Sequence, residues 1–368
     1  MLDNRDIEEA ARDGVISRDA VRALRNRAAM ARGAPAADEE RFTGGIALAD
    51  VMTGIGLWMA LSVAAGVAVL LSPIAAGFVA PVCWALAEYF TRRRRQLVAS
   101  VVLFIFFVLL VSMAALGVGL FVVGVAQDGA AIPMRPTGMS PIPALIVAAS
   151  AMIACALWWT RFRLPIAYAA GVVALINVLV HVARIVWPAI DSAMVGLLLL
   201  LIGIGLFLLA MAWDMSDVRR ETVRSDVAFW LHAAAGFQIA GASYRLLFGV
   251  AGAPVGWGRL YSFTPLPANG PLLACAMLLF ALFCWVALVV DRRALLMSAM
   301  AFLVKMQLQD GMLATGLPLT LALLGVAIIL LSIFWTRLRG LALAPLPIMV
   351  QAQMPRTQII FGWDRPVA

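Results

Sequence analysis

Apolar positions in this chain do not alternate with polar ones; they run together. From about residue 46 onward, long apolar stretches are separated by short polar breaks rich in arginine. Ten stretches can be delimited, near 46–71, 73–90, 97–124, 142–159, 165–187, 191–213, 226–250, 270–290, 294–309 and 317–336. At about 1.5 Å of helical rise per residue, most are long enough to cross a hydrocarbon core of roughly 30 Å. Segment nine is short, and Lys305, Gln307, Gln309 and Asp310 crowd its far end. Only Ser72-Pro73 separates segments one and two. The pattern predicts an all-α integral membrane protein: a bundle of about ten transmembrane helices over residues 46–339, with a tail at 340–368.

Residues 1–45 read differently. Ile7, Ala10 and Ala11, then Val21, Leu24 and Ala28, give two short amphipathic helices small apolar faces at helical spacing. Gly14 is placed to stop the first helix and Ser17 to cap the second. So short a hairpin cannot bury a strong core of its own. It is expected to pack on a second copy in a homo-oligomer, on the membrane surface or on cytoplasmic loops. Residues 33–42 read as a linker, and the charged start, with no apolar h-region, is not expected to act as a signal peptide.

Composition strengthens the membrane reading. The chain has 368 residues, 64% apolar and 13% charged, with a mean hydropathy of +0.97. Soluble domains are nearer half apolar and a quarter charged, so the lipid bilayer is the expected partner for this surface. The net charge of +8 does not point to nucleic acid, because the arginines sit in short runs between apolar segments rather than on a face with aromatics. Lys305 is the one lysine among 28 basic side chains, a bias that fits a GC-rich bacterial genome.

The arginines also set an orientation. Arg92 to Arg95, Arg161 with Arg163, Arg219 with Arg220 and Arg224, Arg292 with Arg293, and Arg337 with Arg339 fall in alternate loops. The positive-inside rule places those loops and both termini in the cytoplasm, in a bacterial inner membrane. An even number of crossings must then separate Arg293 from Arg337, which supports segment nine. Trp158, Trp159, Trp213 and Trp335 are expected at the inner interface, and Trp187 and Trp257 at the outer one.

Three phrases carry a resemblance: Asp6-Ile7-Glu8-Glu9-Ala10-Ala11-Arg12-Asp13-Gly14-Val15-Ile16-Ser17, then Trp84-Ala85-Leu86-Ala87-Glu88-Tyr89-Phe90-Thr91 running into four arginines, then Arg224-Ser225-Asp226-Val227-Ala228-Phe229-Trp230-Leu231-His232. They resemble uncharacterised bacterial multi-pass membrane proteins grouped as a domain of unknown function. The hairpin is similar to the short SHOCT module, a helix-turn-helix linked to oligomerisation. Neither resemblance brings an established catalytic residue.

Ionisable side chains at membrane depth are costly, so each is a candidate for function. Asn177, His181 and Arg184 share one face of segment five. The stripe reads either as the wall of an outward-opening polar cavity or as a hydrogen-bonded helix contact with Arg184 reaching to the surface. Gln238 and Arg245 share a face of segment seven, and Arg184, Arg245 and Lys305 are expected at similar outer depth, near Asp191 and Asp310. These six residues, Asn177, His181, Arg184, Gln238, Arg245 and Lys305, form the candidate substrate-binding set. Glu88 and Arg92 are spaced to pair across one helical turn, and Asp226 is placed to favour the start of segment seven.

No catalytic or metal-binding set emerges. His181 and His232 sit at different depths, too far apart for one haem. Cys83, Cys155, Cys275 and Cys284 lie inside apolar runs without a CxxC pair. His232 and Ser243 are eleven residues apart on one helix, out of reach of each other. No cofactor is expected. Three roles are weighed: first a non-catalytic membrane scaffold with the hairpin as its docking element, second a transporter of a small solute, whose arginines would suit an anion, and third an intramembrane enzyme, for which no motif stands.

Overall fold

The computed structural model describes residues 48–122, 141–188, 192–217, 223–249, 270–297 and 333–347, with parts of 10–21 and 325–331. The chain divides into two units, Met1–Arg41 with Arg356–Ala368, and Phe42–Pro355.

In the first unit, the described turn follows its sequence signals. Gly14 takes a left-handed φ of 75°, and Val15 N–H donates back to Ala10 O at 2.9 Å. That six-residue return closes a helix on a glycine, where no Cβ opposes the left-handed backbone. Ser17 Oγ then accepts Ala20 N–H at 3.1 Å, the bond an N-cap serine makes.

The second unit is all-helical among the described residues. Its elements are α1 (Leu48–Leu71), a 3-10 turn (Pro73–Phe78), α2 (Ala80–Ala87), a π-helical turn (Glu88–Arg93), α3 (Leu97–Val122), α4 (Pro141–Phe162), α5 (Pro165–Val186), α6 (Ser192–Met215), α7 (Val223–Gly249), α8 (Gly270–Val290) and α9 (Trp335–Leu343). Six spans are long and apolar enough to cross a membrane: Leu48–Leu71, Pro73–Arg93, Leu97–Phe121, Pro141–Phe162, Pro165–Val186 and Met194–Met215. These match segments one to six and are consistent with a multi-pass membrane protein. Segment nine beyond Met297 and most of segment ten lie outside the described residues.

Local chemistry explains the breaks. Ser72 is extended and its Oγ accepts Ile74 N–H at 3.2 Å, with Pro73 in the first helical position. Proline suits that position because its missing N–H has no partner there in any helix. Pro141 and Pro165 open α4 and α5 in the same way. Three breaks turn on a non-glycine residue with positive φ: Arg95 at 54°, Arg163 at 54° and Asp291 at 58°. Each follows directly, or within two residues, the end of a helical element, and at Arg95 and Arg163 the next long helix packs back against the one before within two or three residues.

The reversals bring alternate helix ends together. Asp50, in the first turn of α1 and 3% exposed, accepts Val98 N–H at 3.0 Å and Ala99 N–H at 3.2 Å. A carboxylate from one helix thus caps the start of another, α3, whose first amides have no partner within their own helix. Replacing Asp50 by alanine is expected to lower stability by about 1–2 kcal/mol, read as a lowered melting temperature of the detergent-solubilised protein. An unchanged melting temperature would mean that water satisfies these amides.

Packing is dense and side-chain specific. Around α1 to α5, Leu103, Phe104, Phe107 and Leu110 of α3 meet Ala76, Ala80, Cys83 and Ala87 across the second span, and Trp158 of α4 is fully buried. Trp158 is ringed by Trp84, Phe104, Phe107 and Phe162, with ring centroids 4.6–5.8 Å away. The expectation that it sits in an interfacial belt is corrected: apolar rings, not headgroups, surround it. Trp335 is likewise buried at 3% exposure, whereas Trp187 is 62% exposed. The pair α6 and α7 approaches closely at Gly203, where a Cβ would lie 2.8 Å from Ile239 Cγ1 and 3.2 Å from Ile239 N. Lipid tails are as apolar as leucine, so such close contact, rather than water exclusion, holds helices together in a bilayer.

Candidate functional site

Among the described residues, the largest concentration of buried charge lies where α6 ends, α7 begins and α8 ends. Asp214, in the last turn of α6, is fully buried, as is His232 on α7, and Arg292, just after α8, is 2% exposed. The left-handed turn at Asp291 places Arg292. Its backbone N–H closes α8 on Ala287 O at 3.0 Å, and its side chain is directed back toward α6.

Arg292 grips Asp214 with two N–H groups. Nε donates to Oδ2 at 2.9 Å, and Nη2 donates to Oδ1. His232 Nε2–H donates to the same Oδ2 at 3.0 Å. Arg292 Nη2 also reaches Ser225 Oγ at 3.1 Å and Ser225 O at 3.4 Å. A planar guanidinium matches a carboxylate in this two-bond fork. With water excluded, the pair is strong and the cost of breaking it high.

A second pair continues the cluster. Asp291 Oδ1 accepts Trp335 Nε1–H at 2.8 Å, and Arg339 Nη1 lies 3.6 Å from Oδ2. Arg339 Nε donates to Leu288 O at 3.2 Å, and Arg293 covers the Trp335 ring at 5.2 Å. Trp285 Nε1–H donates to Ala342 O at 3.2 Å. Together these bonds fasten α9 to the end of α8.

The cluster has little to react with. An Asp–His pair is the orienting half of a catalytic triad, but Ser225 lies seven residues from His232, roughly 10 Å along the helix axis. Its hydroxyl is also held by Arg292. What the geometry does provide is a clamp: one carboxylate fixes three helices.

The described candidate residues lie on α5 and α7, with Asn177, His181 and Arg184 toward the far end of α5. Asn177 Nδ2 donates to Val173 O at 2.8 Å, within its own helix. His181 is 8% exposed and accepts Arg184 Nη1–H through Nδ1 at 3.2 Å. Gln238 Nε2 donates to Leu199 O of α6 at 3.3 Å. The stripe on α5 therefore turns its histidine inward. The side chain of Arg245, together with Asp191, Lys305 and Asp310, lies outside the described residues.

At the arginine-bearing end, the expected pair of Glu88 and Arg92 forms at 3.3 Å. The closer partner of Glu88 is Arg161 of α4, which donates from Nε at 2.6 Å and from Nη2 at 3.0 Å. Asp226 stands in the first turn of α7, as expected. Sequence reasoning missed Asp214 and treated Arg292 as a loop charge only. The signal was present: Asp214 is an acid at the end of a long apolar run, on the side where the arginines gather.

No family model, no curated protein and no solved structure matches this chain.

Proposed function

We propose that the protein is a non-catalytic scaffold of the bacterial inner membrane, with ten crossings, both termini cytoplasmic and residues 3–32 as a docking or oligomerisation hairpin. One observation carries this reading. Among the described residues, buried and half-buried polar side chains bind one another and the backbone of adjoining helices: Asp214 with Arg292 and His232, half-buried Gln238 with Leu199, and buried His181 with half-buried Arg184. Polar groups used in this way fix helix positions, as they do in membrane bundles generally. A solute path would instead need polar groups turned toward water.

Cysteine accessibility separates this from the transport reading. In a chain with Cys83, Cys155, Cys275 and Cys284 replaced by alanine, single cysteines are introduced as His181→Cys and Gln238→Cys. A membrane-impermeant maleimide is expected to label neither from either side of intact membranes, and both after denaturation. Labelling of both in intact membranes would reveal a water-filled passage and favour transport of a small anionic solute.

A further inference from the structure

The π-helical turn at Glu88–Arg93 shapes a pocket that the scaffold reading does not use. In an α-helix, residue i+5 lies roughly 140° around the axis from residue i. Arg93 would then face away from Glu88. A π-turn bonds residue i to residue i+5 and brings i+5 round to the same side of the helix as i. Here Glu88, Arg92 and Arg93 all line one pocket of about 470 Å³, with Ala85 and Tyr89 also lining it among the described residues. Without the extra residue in the turn, Arg92 alone would stand beside Glu88.

The charges in this pocket are unequally engaged. Glu88 is held by both oxygens to Arg161, which balances its charge, and Arg92 adds a single bond at 3.3 Å. Arg93 is exposed and forms no ion pair among the described residues. Tyr89 accepts Arg94 Nε–H at its hydroxyl oxygen at 3.1 Å, which leaves the phenolic proton to donate. Arg94 also lies over the Tyr89 ring at 5.6 Å, steadying it. The pocket thus offers two guanidinium groups and a phenol around one space, at the end of a span long enough to cross a membrane. Forked N–H donors in that arrangement match the oxygens of a phosphate, and basic residues flanking a membrane span attract anionic headgroups.

We propose that this pocket binds an anionic phosphate group, carried by a phospholipid headgroup or free in solution. The proposal goes beyond the scaffold reading and does not depend on it. The pairing of Glu88 with Arg161 gives the site its selectivity for an anion: it cancels the acid that would otherwise repel one. Arg93 is the principal ligand, Arg92 the second, and Tyr89 supplies a hydrogen bond.

Calorimetric titration of the full chain in a neutral detergent tests this. The probes are dihexanoyl phosphatidylglycerol, inorganic phosphate, and dihexanoyl phosphatidylcholine, whose choline masks its phosphate. Phosphatidylglycerol is expected to bind saturably, and Arg93→Gln to weaken it about tenfold. Arg95→Gln removes the same charge outside the pocket and should change affinity by no more than about twofold. Arg93→Lys should recover part of the loss, since it restores charge without the fork. Displacement of the lipid by inorganic phosphate would assign the source to the free ion; saturable lipid binding untouched by phosphate would assign it to the headgroup. Both support the site. Equal binding of phosphatidylcholine, or equal weakening by Arg95→Gln and Arg93→Gln, would overturn it, because either shows diffuse attraction rather than a built pocket.

Discussion

Replacing Arg292 by methionine is expected to destabilise the bundle by about 3–5 kcal/mol. The change removes both forked bonds to Asp214 and leaves a carboxylate, fully buried at the end of α6, with only His232 among these two partners. Most of the loss comes from leaving that desolvated carboxylate without its guanidinium rather than from the bond itself. The double variant Arg292→Met with Asp214→Leu removes the charge and should recover much of the loss, because apolar side chains of similar volume often replace buried ion pairs without penalty. Recovery should be incomplete, since His232 Nε2–H loses its acceptor, at about 1–3 kcal/mol. Equilibrium unfolding in mixed micelles, run as a double-mutant cycle, measures each quantity. A single-variant loss under about 1 kcal/mol would mean that water reaches Asp214 and that the clamp is a surface pair.

The second large effect is expected at Trp158. Trp158→Ala should cost about 3 kcal/mol, the lower end of the range for large aromatic truncations. The lower end applies because the reference solvent for this side chain is lipid. Water-to-interior transfer contributes little there, and the loss is the emptied space among Trp84, Phe104, Phe107 and Phe162. Trp158→Phe should cost much less, since the indole Nε1–H has no hydrogen-bond partner among the described residues to lose. Melting curves of the two variants in one detergent give the comparison. A tryptophan-to-phenylalanine loss as large as the alanine loss would show that the N–H, not the ring, anchors the site.

Most of the described helices were legible in the chain, and the reason is physical. Long apolar runs in a bilayer must satisfy their backbone within helices, so segment limits follow from composition alone. The six candidate spans begin and end within a few residues of the apolar runs. In the hairpin, Gly14 and Ser17 were legible because each acts on the backbone beside it, glycine by accepting a left-handed φ and serine through its hydroxyl. The clamp at Asp214 was not legible in that way. The partners of Asp214, at 232 and 292, are 18 and 78 residues on in sequence, and no periodicity links them. Glu88 shows the same limit at smaller scale: the partner four residues away was visible, whereas Arg161, 73 residues away, was not. The π-turn was also hidden, since no residue type specifies one. Trp158 and Trp335 misled because aromatic residues at helix ends serve equally as interfacial anchors and as core.

The reversals at Arg95 and Arg163 bind two requirements into single residues. Glycine would take the left-handed backbone there with less strain, yet glycine carries no charge. During insertion, helices joined by so short a link must enter the bilayer as a pair, because neither can cross without drawing the other after it. The side on which the link stays is then decided for the pair at once, and positive charge at the link is what biases that decision. In the proposed orientation, an arginine at the turn therefore accepts a conformational penalty in exchange for directing a whole hairpin. Asp291 breaks the pattern in the opposite sense. It tolerates the left-handed region better than arginine does, and the directing charge is delegated to its neighbours Arg292 and Arg293, one folded inward and one laid over a tryptophan.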